Sequence, residues 1–117
     1  MEPARIPSAP LGRITISSEV VAEIVGRTVA ECYGVVGTSA RRRVGRLLAR
    51  DRLTRGVAVG QEDGRVAIDV DVVVEYGLNL AEVAAAVRSR VRYEVERLTG
   101  LEVASVEVHI GDARQSA

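Results

Sequence analysis

Arg55–Gly77 reads "RGVAVGQEDGRVAIDVDVVVEYG", and its alternation decides the fold class. Asp63-Gly64 is a two-residue hairpin turn, because both central positions of a type I′ turn require positive φ and Asp-Gly tolerates it. After the turn, Val66, Ile68, Val70, Val72, Val74 and Tyr76 alternate with Ala67, Asp69, Asp71, Val73 and Glu75. A period of two places the first set on one face and the second on the other. The spacing predicts a long strand with one buried face and one acidic, solvent-facing side.

On either side of this hairpin the period changes. Downstream, Asn79 opens a capping box with Glu82, and Leu80, Val83, Val87, Val91, Val95 and Leu98 form an apolar stripe on a helix that ends at Thr99-Gly100. The following "LEVASVEVHI" is a strand burying Val106, Val108 and Ile110. Leu101 and Val103 are out of phase with them, which predicts a bulge near Ala104-Ser105. Upstream, "GRITIS" is a short half-buried strand. Ser17 or Ser18 then caps a helix over about 18–32, with Glu19 in its first turn. That helix carries Val21, Ile24, Val25, Thr28 and Cys32 on one side, ends at Gly34, and is followed by a short strand in "VVGTS".

The order is β-α-β, a helical connector, then β-β-α-β. Each helix has one apolar stripe and the strands have one polar face. The expected architecture is α+β: a two-layer sandwich with two helices on one face of a mixed sheet. Residues 12–112 make a single domain, with a loose N-terminal tail at 1–11 and a C-terminal tail at 113–117. At 117 residues, 47% apolar, the chain is large enough for one modest core. That core is aliphatic, since there is no Phe, no Trp and only three Tyr. Few aromatics also weigh against base-stacking recognition of single strands. A single cysteine, Cys32, excludes an internal disulfide and fits a reducing cytoplasm. No apolar run approaches the roughly 18–20 residues that span a bilayer, and the opening "MEPARIPSAP" is not a signal peptide. The expected location is cytoplasmic, with any membrane contact peripheral.

Four pieces in order carry a resemblance. They are Ile-x-Ile-Ser-x-Glu-Val-Val at 14–21, Glu31 followed by "YGVVG", the "VVVEYG" strand end, and "TGLEV" with "VEVHI". Over about residues 12–110 the chain resembles the alkaline shock protein family of bacterial envelope-stress and general-stress proteins. The resemblance implies a non-enzymatic, abundant cytosolic protein that acts as an interaction or scaffold module. It implies recruitment to the inner membrane face by a separate membrane-anchor protein as one mode, and self-association into a homo-oligomer as another.

The residues offer little chemistry of their own. His109 is the single histidine and alternates onto the polar sheet face near Glu107. A metal there would recruit Asp69, Asp71 or Glu75, but zinc prefers several His or Cys ligands, so no metal site is assigned. Asp69 and Asp71 lie about 6–7 Å apart along one strand face. Alternating acids also keep an exposed face soluble, and one histidine builds no triad. Together Asp69, Asp71, Glu75, Glu107 and His109 define a candidate acidic sheet face. Cys32 reads as a small buried hydrophobe. No catalytic residue, cofactor or cofactor-binding loop is assigned.

The remaining candidate is basic. Residues 41–55 contain seven arginines (Arg41, Arg42, Arg43, Arg46, Arg50, Arg52 and Arg55) against Asp51, a local +6 on a body of −6 in a chain of zero net charge. As a helix from Ala40 to about Asp51, the stretch sets Val44, Leu47 and Leu48 opposite Arg42, Arg43, Arg46 and Arg50. Gly45 costs such a helix about 1 kcal/mol. The arginines face anionic lipid, nucleic acid through counterion release, an acidic protein surface, or only solvent. The principal alternative to a scaffold is therefore a small RNA- or DNA-associated module using this connector.

Overall fold

The computed structural model describes residues 16–38 and 56–114. The Arg41–Arg55 connector, the "GRITIS" strand up to Thr15, the N-terminal tail and residues 115–117 lie outside the described residues, whereas Ala113 and Arg114, expected in the C-terminal tail, form the end of a strand. Within them the elements run α1 (Ser18–Ala30), β1 (Val35–Thr38), β2 (Val57–Glu62), β3 (Arg65–Glu75), α2 (Leu80–Thr99) and β4 (Val103–Arg114).

The local signals act where the sequence places them. Ser17, in extended conformation, accepts a hydrogen bond from the Val20 amide and starts α1. Asn79 accepts from the Glu82 amide at 3.1 Å and starts α2. Gly100 closes α2 in the left-handed region, at φ 77, with its amide donating to the Glu96 carbonyl. Asp63 and Gly64 have φ of 52 and 77, as a type I′ turn demands, and join β2 to β3 with Glu62 opposite Arg65.

β3 is the central strand. β4 runs parallel to it along one side from Val66 to Glu75. On the other side β2 pairs antiparallel with residues 65–70 and β1 with residues 72–74. The sheet is therefore mixed, and both helices cover one face of it. Val21, Val25 and Val29 of α1 and Val83, Val87, Val91 and Val95 of α2 pack in one core with Val66, Ile68, Val70, Val72 and Val74. The fold is α+β, built from two layers. Burying such valines contributes about 1.5–3 kcal/mol each relative to exposure.

The β3–β4 register skips Ala104, with Val66 beside Val103 and Ala67 beside Ser105. The phase break between Val103 and Val106 is thus resolved by one extra residue, which lets Leu101, Val103 and Val106 all be buried. A second skip occurs at Gly111, and β4 continues past Ile110 to Arg114.

Several expected burial assignments are corrected. Leu80 and Leu98, the first and last apolar positions of the α2 stripe, are 43% and 54% exposed, whereas Val83, Val87, Val91 and Val95 between them are buried. Tyr76 is 68% exposed, since β3 ends at Glu75 and Tyr76 sits in the turn at Gly77. Ile24, Cys32, Val108 and Ile110 are half-buried at the rim of the core. Val73, assigned to the polar face, is buried.

Candidate functional site

The outer face of the sheet carries the acidic residues. On β3, Asp69 and Glu75 are half-buried; on β4, Glu107 is exposed and His109 half-buried. Parallel register sets Asp69 beside Glu107 and Asp71 beside His109. The His109 imidazole reaches diagonally to Asp69, with Nε2 2.5 Å from Oδ1. The pair ties β3 to β4 and leaves both side chains a little over a third exposed. Alongside lies a shallow groove of about 290 Å³ floored by Ala58, Gly60, Ala67 and Ser105.

Asp71 is the correction on this face. It is 4% exposed, not solvent-facing. Its amide donates to the Gly56 carbonyl at the start of β2, while β4 flanks its other side. Alternation fixes which face a side chain takes, but not how far water reaches into the middle of a central strand. Asp69 and Asp71 therefore do not form an open carboxylate pair. Among the described residues no group of three His, Cys, Asp or Glu side chains is arranged to hold a metal ion.

A second feature, not anticipated from the sequence, is the groove between the two helices, about 500 Å³. Arg90 reaches Glu31, the C-cap of α1, and Glu94 of its own helix, each at 3.8 Å, and Arg97 donates to Glu94 at 2.7 Å. The Arg90–Glu94 spacing of four and the Glu94–Arg97 spacing of three are readable helix pairs. The link to Glu31 needs the antiparallel packing of α1 on α2. The Glu94 carboxylate holds the Arg97 guanidinium above its ordinary range, through the hydrogen bond and the charge.

Cys32 follows α1 and donates from Sγ to the Thr28 carbonyl at 3.4 Å. Burial raises its pKa, the nearby Arg90 charge opposes this, and Glu31 adds to it. The thiol is thereby kept protonated at neutral pH, which disfavours nucleophilic chemistry. The third feature is the end of the molecule where Tyr33, Val36, Tyr76 and Leu80 are exposed. There a pocket of about 250 Å³ opens between Tyr33, Leu78 and Val83. The register of β1 on β3 brings Tyr33 and Tyr76 to the same end of the sheet. The seven candidate arginines lie outside the described residues.

Comparison with known proteins gives these surfaces a context. Residues 7–115 match the model of the alkaline shock protein 23 family, whose function is described as cell envelope-related. The chain is 36% identical over 107 residues to YloU of Bacillus subtilis, covering 88% of this chain and 89% of that protein. It is 31% identical over 103 residues to Spy1614 of Streptococcus pyogenes, covering 85% of each. It is also 29% identical over 112 residues to a Streptococcus pyogenes protein named a stress response regulator gls24 homolog, of which it spans 63%. No solved structure matches the chain.

Proposed function

The chain belongs to the alkaline shock protein 23 family of cell envelope-related function, and from that premise we propose that it is a non-enzymatic interaction or scaffold module of the envelope stress response. The observation that supports this most is the separation of charge. The described residues hold fourteen acids and seven arginines, a net −7 with His109 neutral, while residues 41–55 hold +6. Asp69, Glu75 and Glu107 lie along the outer sheet face, where Asp71 alone of the four acids is buried. The Arg90, Glu94, Arg97 and Glu31 charges are partnered with one another, as suits a structural face. A body of one sign joined to a segment of the other is a two-sided adaptor: each side selects partners of opposite charge.

On this reading the acidic body and the arginine segment contact other proteins. A membrane-anchored partner brings the chain to the inner face of the membrane. No helix among the described residues is long and apolar enough to cross a membrane.

The second reading, a nucleic-acid-associated module, draws on Arg41, Arg42, Arg43, Arg46, Arg50, Arg52 and Arg55. Titrating the purified chain with RNA, duplex DNA and anionic vesicles at physiological salt separates the two, with an Arg42/Arg43/Arg46/Arg50→Ala variant alongside. The scaffold reading expects no tight nucleic-acid binding under these conditions. Salt-sensitive binding to RNA or DNA that the variant loses would overturn it. Vesicle binding lost in the variant would assign the membrane contact to the arginines instead of a partner.

A further inference from the structure

Among the described residues, β4 lies at the margin of the sheet. β4 spans twelve residues, Val103–Arg114, and among the described residues β3 is its one strand neighbour. At the start of the strand, α2 occupies the main chain: Arg92 Nη1 donates to the Val103 carbonyl, and the Val103 amide donates to Glu96. The register skips at Ala104 and Gly111 interrupt it further. Between them, Val106-Glu107-Val108-His109-Ile110 is a regular, proline-free segment with no Lys or Arg. Sheet edges are ordinarily blunted by such residues or by bulges, and an unblunted one templates another strand.

The direction of its main-chain groups follows from the ladder. The Val66 and Tyr76 amides donate to the β4 carbonyls of Glu102 and Arg114, whereas the Asp71 and Glu75 amides donate to Gly56 and Gly34 on the other side. Even-numbered residues of β3 therefore bond to β4. With Ile68 beside Val106, parallel pairing turns the main chain of Ser105, Glu107 and His109 toward β3. The amides and carbonyls of Val106, Val108 and Ile110 point outward.

We propose that this edge pairs antiparallel with the same edge of a second copy of the chain, about a two-fold axis at Val108. A two-fold axis perpendicular to the sheet keeps each face on its own side, so a β4 residue can oppose only residues of equal parity. Centring on Glu107 sets two carboxylates directly against each other, and centring on His109 sets imidazole on imidazole. Centring on Val106 or Ile110 runs the pairing into the skips at Ala104 or Gly111. Centring on Val108 pairs residues 106–110 among themselves. Val106 meets Ile110 of the second copy on the core side, and Glu107 meets His109, twice over, on the outer face.

In that register Val106, Val108 and Ile110 are the hydrogen-bonded positions, giving about six main-chain bonds. Each His109 then lies between its own Asp69 and the second copy's Glu107, a ring that can donate a hydrogen bond facing a carboxylate rather than a second acid, so side-chain complementarity as well as backbone pairing selects this occupant. The half-exposed Val108 and Ile110 gain cover at the junction of the two cores. The inference extends the interaction reading to a second copy of this chain, and it is tested on purified protein without any other partner. Its failure would leave that reading standing.

The test uses the full chain with Cys32→Ser as background. Glu107 and His109 are facing, non-hydrogen-bonded positions, with Cα atoms about 4.5 Å apart and within disulfide reach. Chains carrying Glu107→Cys, mixed with chains carrying His109→Cys and oxidised, should give a cross-linked dimer. Either variant alone should not, because like positions lie about 8 Å apart in this register. Sedimentation of the unmodified chain should show a monomer–dimer equilibrium. Val108→Pro should weaken it about 10-fold or more by removing an outward amide that the monomer's own sheet does not use. A chain that remains monomeric at all concentrations, or that cross-links in the single variants as readily as in the mixture, would overturn the proposal. So would dimerisation unchanged by Val108→Pro.

Discussion

Cys32 is the residue whose chemistry is most sharply constrained. Burial raises its pKa against the opposing charge of Arg90, so its alkylation rate should rise with pH later than that of a cysteine in an unstructured peptide. Removing the cation by Arg90→Ala should move the inflection further upward. A pH–rate profile with a thiol reagent checks both, and an inflection below that of the peptide would contradict the burial. The stability linkage has the same sign. A thiol whose folded pKa is raised contributes stability that is fully present below the ordinary thiol pKa and lost as pH rises through the folded value. Gly34 is constrained by backbone instead, at φ 88, with space for a Cβ closed by Leu78 Cδ1 at 2.8 Å and Val83 Cγ2 at 3.1 Å. Gly34→Ala should destabilise the fold by about 1–2 kcal/mol, measured by urea denaturation, even though the residue carries no side chain. Its place after α1 is legible in the sequence, but the contact with Leu78 is not, since it depends on how two distant turns meet.

At the scale of elements, the patterns with a short-range cause were readable. The capping of α1 and α2, the Asp63-Gly64 turn and the extra residue at Ala104 all follow from neighbours within a few positions. The ends of the α2 stripe misled because periodicity assigns a side chain to a face and not a depth of burial along it. This difference predicts a contrast. Val91→Ala, at a fully buried site, should cost about 2 kcal/mol. Leu98→Ala should cost less than about 0.5 kcal/mol despite removing a larger side chain. Thermal or denaturant unfolding of the two variants measures both, and equal costs would restore Leu98 to the core. The Asn79 cap should contribute about 1 kcal/mol, read as the loss on Asn79→Ala.

For the molecule as a whole, the sequence reading separated an acidic body from a basic segment, and the structure places the acids on the outer sheet face and along the helices. It corrected one member of the candidate face, Asp71. Asp71 and Val73 are buried on the same face where Asp69 and Glu75 stay half-buried, a difference that alternation does not encode. The His109–Asp69 pair and the Arg90–Glu31 contact were likewise beyond a linear reading, because both join elements brought together only by the fold. The position of β4 at the margin of the sheet among the described residues becomes visible only once the strand order is known.

Family membership, the charge division and the β4 edge are the grounds on which we propose a protein that works by contact rather than by turnover. The most direct measurement is cross-linking of the full chain in its own cells, followed by fractionation and identification of what it carries. The account predicts recovery in the envelope fraction, joined to a membrane-anchored protein and resistant to nuclease. Uniform recovery from the cytosol, free of any cross-linked protein or released by nuclease, would contradict it.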